Sequence, residues 1–187
     1  MLHLVIGRQG SGKTLFIVKK AYEGYLAGKT VYSNVHLKFP YKELDYNDVI
    51  NCRLKNAIVI LDEIHLLLPA RGSAMNKMSR IICDTFISQI RKAGLEVWGT
   101  TQMERKVDIR IREEKDYVYL CSRYAFINGE WSEVKHSNSF DVSIPIIIKL
   151  EAQEQYSGEW INFFMYGNNI FELFDSTQII QVKGLEG

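Results

Sequence analysis

The chain has 187 residues, of which 47% are hydrophobic and 24% are charged, and its formal net charge is +1. This length and composition are ordinary for a soluble globular protein with one substantial core. A charge so close to zero excludes a strong overall basic field, so a nucleic-acid partner would have to be held by a local patch. No stretch approaches the roughly 18 consecutive apolar residues of a membrane-spanning helix, and residues 1–6 are too short for a signal peptide. The sequence therefore predicts a cytoplasmic protein.

Strands and helices alternate through the first two thirds of the chain. Apolar runs that end in glycine or acidic residues predict strands, and apolar residues spaced three or four apart predict helices. The predicted elements are strands at 2–6, 29–33, 57–61, 95–100 and 116–122, and helices at 12–26 and 75–92. This alternation implies an α/β fold with a mostly parallel central sheet flanked by helices on both faces.

The last third of the chain is rich in predicted strands. Residues 124–135 contain Asn128-Gly129, a strong hairpin signal, and residues 143–155 and 159–165 predict a pair of strands joined around Ser157-Gly158. Residues 171–174 are expected to close the domain. We interpret residues 123–187 as a β-rich extension of a nucleotide-binding core at residues 1–122, so that residues 1–187 form a single domain.

The segment GRQGSGKT at residues 7–14 matches the pattern G-x-x-x-x-G-K-[ST] in full, between a predicted strand and a predicted helix. Its glycines let successive amide groups converge on phosphate oxygens at the positive end of the helix. Lys13 is expected to reach the β- and γ-phosphates, and Thr14 to give its hydroxyl to Mg²⁺. The sequence therefore predicts a P-loop NTPase that binds ATP and Mg²⁺. The predicted binding residues are Gly7, Arg8, Gln9, Gly10, Ser11, Gly12, Lys13 and Thr14.

An acidic pair follows the predicted strand at residues 57–61. Asp62 at the end of this strand is expected to hold Mg²⁺ together with Thr14. Glu63 comes next, where a carboxylate can orient and deprotonate the attacking water as a general base. His65 lies beside the pair, but the histidines are scattered through the chain and form no ligand set.

Polar residues also end the predicted strand at 95–100. Gln102 comes after Thr100-Thr101, where a side chain can hydrogen-bond the γ-phosphate or the water that attacks it. Hydrolysis usually needs one more cation, often an arginine from a neighbouring subunit. The candidates are Arg80, Arg91, Arg110 and Arg112.

With these elements in this order, the chain resembles the FtsK–HerA class of DNA-pumping ATPases. It is most similar to the Zot-like assembly proteins of filamentous phages and the small genome-packaging ATPases of archaeal viruses. The likeness rests on residues 7–14, on ILDE at 60–63, on QIRKAG at 89–94 leading to TTQ at 100–102, on VDIRIR at 107–112 and on FELFDST at 171–177. It implies a P-loop fold of the RecA/FtsK-like type.

The resemblance also implies an assembly and a cargo. Members of the class work as hexameric rings with DNA through the centre, and the arginine before the glycine of QIRKAG, Arg91 here, is their candidate trans-acting finger. Zot-like proteins continue into a membrane span, whereas this chain ends at Gly187, so we expect a soluble motor.

Three functions fit these observations. The leading one is an ATP-driven translocase of double-stranded DNA that packages a viral genome in the host cytoplasm, with Arg71, Lys77 and Arg80 as its local basic surface. The alternative is a phage morphogenesis or secretion ATPase that acts with capsid or membrane assembly proteins. A small-molecule kinase is less favoured, because Glu63 and Gln102 suit the activation of water better than that of an acceptor hydroxyl.

Overall fold

The computed structural model describes residues 1–70, 77–134, 144–154 and 159–175. Within these ranges the strands are β1 (Leu2–Ile6), β2 (Thr30–Ser33), β3 (Lys42–Glu43), β4 (Ala57–Leu61), β5 (Glu96–Thr101), β6 (Tyr117–Ile127), β7 (Glu130–Glu133), β8 (Ile146–Glu154) and β9 (Trp160–Tyr166). The α-helices are α1 (Lys13–Leu26), α2 (Tyr46–Ile50), α3 (Lys77–Lys92) and α4 (Ile109–Glu114). Short 3₁₀ helices lie at Ile64–Leu66, Glu104–Lys106 and Asn168–Leu173. The elements predicted in the first 122 residues are all present, and the strand predicted at 116–122 runs on to Ile127.

The strands form one sheet in the order β3-β2-β4-β5-β1-β6-β8-β9, with β7 paired to β6 outside that path. Each pairing from β3 to β6 is parallel. The predicted α/β fold with a mostly parallel sheet is therefore confirmed. Because parallel strands point the same way, β1, β4 and β5 all end on one side of the sheet, at Ile6, Leu61 and Thr101. We call this side the carboxyl edge, and the side where these strands begin the amino edge.

The β-rich extension joins the same sheet. Strand β6 pairs with β1 only from Tyr117 to Leu120, and its remainder projects beyond the carboxyl edge. The β6–β7 hairpin turns at Asn128 and Gly129, whose φ angles of 54° and 86° are both positive, as a type I′ turn requires. Strands β8 and β9 continue the sheet in antiparallel fashion. The predicted hairpin and strand pair are thus present, and β6 runs across the expected boundary at residue 122.

Each face of the sheet has its own core, because alternate side chains of a strand point to opposite faces. On one face, α1 buries Phe16 against Ile58 and Trp98. On the other, α3 buries Phe86 and Ile90 in a separate cluster. This arrangement covers both faces of the parallel strands with helices.

Helix α3 ends at the amino edge of the sheet. Gly94 follows it with a φ of 65°, and the Leu95 amide donates to the Ile90 carbonyl at 3.1 Å. The Met1 ammonium group donates to the Leu95 carbonyl at 2.7 Å, which fixes the end of α3 beside the start of β1.

The expected closing segment packs against residues near the end of β2. Phe174 forms an isolated antiparallel bridge with Leu37, and the Lys38 amide donates to the Leu173 carbonyl at 2.8 Å. Among the helices in the described ranges, none is both long and apolar enough to cross a membrane.

Candidate nucleotide-binding site

Residues 7–14 form the connection between β1 and α1 at the carboxyl edge. Gly10 and Gly12 have φ angles of 74° and 94°, a conformation that other residues rarely adopt. The Ser11 amide donates to the Arg8 carbonyl at 3.1 Å, so the chain curls before the helix begins. No side chain at Gly12 caps α1, which leaves the amides of its first turn facing the loop as an anion site.

Lys13 brings a positive charge into this curl. The residue is only 5% exposed, and its Nζ donates to the Arg8 carbonyl at 3.0 Å. The loop therefore combines the uncapped N-terminus of α1 with a buried ammonium group, which is a chemistry suited to phosphate.

A hydrogen-bonded network links the loop to β4 and β5. Asp62 accepts a hydrogen bond from Thr14 Oγ1 at 3.0 Å and another from Thr100 Oγ1 at 2.5 Å. Thr100 Oγ1 in turn accepts the Glu63 amide at 2.9 Å. Residues 7–14, the acidic pair at 62–63 and the end of β5 are thus joined through two threonine hydroxyls and one carboxyl group.

The environment of Asp62 fits a bound cation. Burial raises the pKa of its carboxyl group, while hydrogen bonds from Thr100 and Thr14 and the charge of Lys13 act in the opposite direction. A divalent cation would offset the cost of burying the carboxylate, and carboxylate and hydroxyl oxygens are ligands that Mg²⁺ accepts. Asp62 and Thr14 therefore suit the predicted Mg²⁺ site.

Asn34 braces the same strand end, and sequence reasoning missed it. Its Nδ2 donates to the Asp62 carbonyl at 2.9 Å, and its Oδ1 accepts the Asp62 amide at 2.8 Å. This pair of bonds fixes the backbone of Asp62 from the end of β2. The only local signal for Asn34 in the sequence is that it is a polar residue directly after a predicted strand.

Glu63 has a left-handed backbone conformation, with φ and ψ both 51°. Such a conformation is uncommon outside glycine and is often found at functional sites. Its side chain is 24% exposed, and Oε2 lies 3.2 Å from His65 Nδ1. Burial lowers the pKa of His65, so this imidazole is neutral near pH 7.

Comparison with known families identifies the family of the chain. The family model described as zonular occludens toxin (Zot) matches residues 1–178. The chain belongs to the Zot family. None of the curated protein sequences matches the chain.

The solved structures that share the fold of this Zot-family chain include the following two. The N-terminal domain of zonular occludens toxin from Neisseria meningitidis is 18% identical, with a TM-score of 0.63, over 93% of this chain and 98% of that one. The genome packaging NTPase B204 from Sulfolobus turreted icosahedral virus 2, in complex with ATP-gammaS, is 11% identical, with a TM-score of 0.54, over 86% of this chain and 95% of that one. The expected resemblance to Zot-like and genome-packaging proteins is confirmed.

Gln102 lies at the carboxyl edge beside the P-loop of this Zot-family chain. The preceding residue, Thr101, ends β5, and its carbonyl accepts the Gly7 amide at 3.3 Å. Gln102 itself is partly exposed. The structure therefore brings Gln102 to the same edge as the P-loop and the acidic pair.

Arg91 is not among the residues brought together at the carboxyl edge. It lies in the last turn of α3 at the amino edge, where its side chain is 65% exposed and its Nη2 is 3.3 Å from Glu114 Oε2. Arg110 is bound to Asp108 and Asp84, and Arg112 Nε donates to the Val107 carbonyl at 3.1 Å. The predicted basic surface at Arg71, Lys77 and Arg80 lies outside the described residues or side chains.

Strands β6 and β8 of this Zot-family chain form one wall of the P-loop. A Cβ on Gly12 would lie 2.2 Å from Ile148 Cδ1, and a Cβ on Gly7 would lie 2.6 Å from the Cys121 carbonyl oxygen. Cys121 Sγ also donates to the Ser11 carbonyl at 3.1 Å. Strands β6 and β8 thus contact the loop at its first glycine, its serine and its last glycine.

Proposed function

We propose that this chain is a Mg²⁺-dependent ATP hydrolase. The observation that carries the proposal is the network in which Asp62 accepts hydrogen bonds from Thr14 and Thr100, next to the buried Lys13 and the left-handed Glu63. It assembles a phosphate-binding loop, a pair of candidate Mg²⁺ ligands and the Glu63 carboxylate at one edge of the sheet.

Each residue has a distinct role in this proposal. The loop amides bind the phosphates, and Lys13 exchanges its bond to the Arg8 carbonyl for bonds to the β- and γ-phosphates. Thr14 and Asp62 hold Mg²⁺, which when bound neutralises charge on the phosphates. Glu63 orients and deprotonates water, and Gln102 hydrogen-bonds that water or the γ-phosphate.

The ATPase is proposed to drive phage morphogenesis by moving DNA. The Zot family match supports virion assembly or secretion together with membrane or capsid partners. The shared fold with a protein named as a genome packaging NTPase supports translocation of double-stranded DNA during packaging. In both roles the chain works as a ring, and Arg91 contributes to the site of the next subunit.

Two variants separate nucleotide binding from hydrolysis. Lys13→Ala should abolish turnover and weaken ATP binding, because it removes the positive charge that contacts the β- and γ-phosphates. Glu63→Gln should bind ATP as the wild type does and lose about a hundredfold or more in rate, the scale of a general base. Lys29→Ala is the matched control, because Lys29 pairs with Glu96 at the amino edge. Wild-type turnover in both site variants would overturn the proposal.

DNA dependence tests the proposed work of the motor. The ATPase rate is measured with and without double-stranded DNA at low salt, where contacts to phosphate are strongest. Stimulation by DNA supports a translocase. A rate that does not depend on DNA contradicts the proposal that the chain moves DNA, and the proposal that it hydrolyses ATP is then unaffected. Measurement of the molecular size with ATP and Mg²⁺ should show an oligomer of the size of a ring. A monomer under all conditions would contradict the proposal that the chain works as a ring.

A further inference from the structure

A short turn after the acidic pair carries a histidine back towards it. The 3₁₀ turn Ile64–Leu66 begins directly after Glu63, where the left-handed backbone changes the direction of the chain. Ile64 is 1% exposed, and a Cβ on Gly99 would lie only 2.8 Å from Ile64 Cδ1, so the turn packs closely on β5. This packing brings His65 beside both the carboxylate of Glu63 and the end of β5.

The imidazole of His65 lies close to two oxygen atoms. Its Nδ1 is 3.3 Å from Thr101 Oγ1 and 3.2 Å from Glu63 Oε2. The Thr101 hydroxyl donates its hydrogen to the Met103 carbonyl at 3.1 Å, so its oxygen can only accept from His65. Nδ1 therefore carries the proton of the neutral imidazole, and this one N–H has two acceptors within reach.

The carboxylate oxygen beside His65 lacks a hydrogen bond. Within the described residues, Glu63 Oε2 is buried and has no hydrogen-bond partner, although His65 Nδ1 is near enough to become one. A buried carboxylate oxygen without a donor is costly, and hydrogen bonds to ionised groups are among the strongest in proteins. Rotation of the imidazole would turn its N–H from Thr101 towards Glu63 and satisfy this oxygen.

We propose that His65 is a positioning residue for Glu63. Its Nδ1–H donates to Glu63 Oε2 during hydrolysis and holds this oxygen, which leaves Oε1 to accept the proton of the attacking water. Because Thr101 directly precedes Gln102, the exchange of the N–H between Thr101 and Glu63 links the general base to the end of β5. This inference rests on the proposed function, in which Glu63 is that base.

The first test measures ATP turnover and ATP affinity in three variants. His65→Ala should lower kcat about tenfold, the scale of one hydrogen bond to a charged group, and change the Kd for ATP less than twofold. His65→Asn should keep kcat within about threefold of the wild type, because its amide nitrogen is also attached to Cγ and can donate from the place of Nδ1. Leu66→Ala, on the same turn and 49% exposed, should change neither quantity.

A double-mutant comparison shows whether His65 acts through Glu63. In single-turnover experiments with radiolabelled ATP, His65→Ala should slow hydrolysis about tenfold in the wild-type background and less than twofold in Glu63→Gln, where no base remains to be positioned. A second tenfold loss in the Glu63→Gln background would show that His65 acts independently of Glu63 and would overturn the inference.

The outcomes separate the positioning role from the proposed function. Wild-type turnover in Glu63→Gln removes the general base of the proposed function, and the role of His65 fails with it. If Glu63→Gln is slow while His65→Ala turns over as the wild type does, the positioning role alone is wrong. It is also wrong if His65→Ala and His65→Asn lose activity equally, because the donor would then not matter, or if ATP affinity falls in parallel with kcat.

Thermal melting of each variant confirms that it is folded. If His65→Ala does not fold, His65→Leu takes its place in every comparison, because leucine also branches at Cγ and has no donor.

Discussion

His3 links the folding stability of this chain to pH. It lies in β1 and is only 4% exposed. Its ring stacks on Trp98 with the centroids 3.8 Å apart, and its Nδ1 lies 3.2 Å from Tyr119 Oη. Burial in this aromatic cluster lowers the pKa of His3 from 6.5 to about 4. The folded protein therefore disfavours the protonated imidazolium, and we expect acid to destabilise the fold through this residue.

The size of the effect follows from the two pKa values. Between pH 6.5 and about 4 the unfolded chain binds a proton at His3 that the folded chain does not, so stability falls as the pH falls. The pKa values differ by about 2.5, which corresponds to about 3 kcal/mol when the residue is fully protonated. The stabilisation is complete above pH 6.5 and lost progressively below it. At pH 5 the loss from His3 is about 2 kcal/mol.

Urea denaturation of the wild type and of His3→Phe at pH 8 and pH 5 measures this contribution. Phenylalanine keeps a ring that can stack on Trp98 and removes the titrating group. Between the two pH values the wild type should lose about 2 kcal/mol more than the variant. If the wild type and His3→Phe showed the same pH dependence, the buried, neutral histidine would not be the cause.

Three further predictions concern the site. Gly12→Ala should weaken nucleotide binding strongly and cost about 1–3 kcal/mol of stability, because of its φ of 94° and its contact with Ile148; Gly28→Ala, with a φ of 79° and open space around it, should keep wild-type binding in the same titration. Asn34→Ala should cost about 1–3 kcal/mol in urea denaturation and lower the ATPase rate, because the Asp62 backbone loses both of its bonds to Asn34; an unchanged rate would contradict its bracing role. Arg91→Ala should bind ATP and lose activity, and mixing it with Lys13→Ala should partly restore turnover; no recovery in an oligomeric mixture would count against a role in trans.

The phosphate side of the site could be predicted because its signals are local. The glycines of residues 7–14 reflect backbone angles that few other residues adopt, and the apolar runs before Asp62 and Thr100 identify strand ends. Because the strands are parallel, these ends lie at one edge of the sheet, and the prediction needs no knowledge of contacts between distant residues. The 3.0 Å contact of Thr14 with Asp62 follows from that topology.

Other parts of the site depend on contacts between distant residues, for which the local sequence gives at most a weak signal. Asn34 acts on the backbone of a residue 28 positions away. The wall of the P-loop requires β6 to continue past the end of β1, whereas the sequence pattern indicated a strand ending at residue 122 and a separate hairpin. Arg123, a buried charge within β6, interrupts the apolar run that would have predicted one long strand.

The position of Arg91 sets a condition on any catalytic role for it. Its helix ends beside the start of β1, while the P-loop follows the end of β1, and a five-residue parallel strand is about 16 Å long. The side chain lies at the opposite edge of the sheet and is paired there with Glu114, away from the P-loop of its own subunit. A role for Arg91 in hydrolysis therefore requires a second copy whose carboxyl edge faces this amino edge. Such a contact joins two different surfaces, and repeating it produces a closed ring or an open filament.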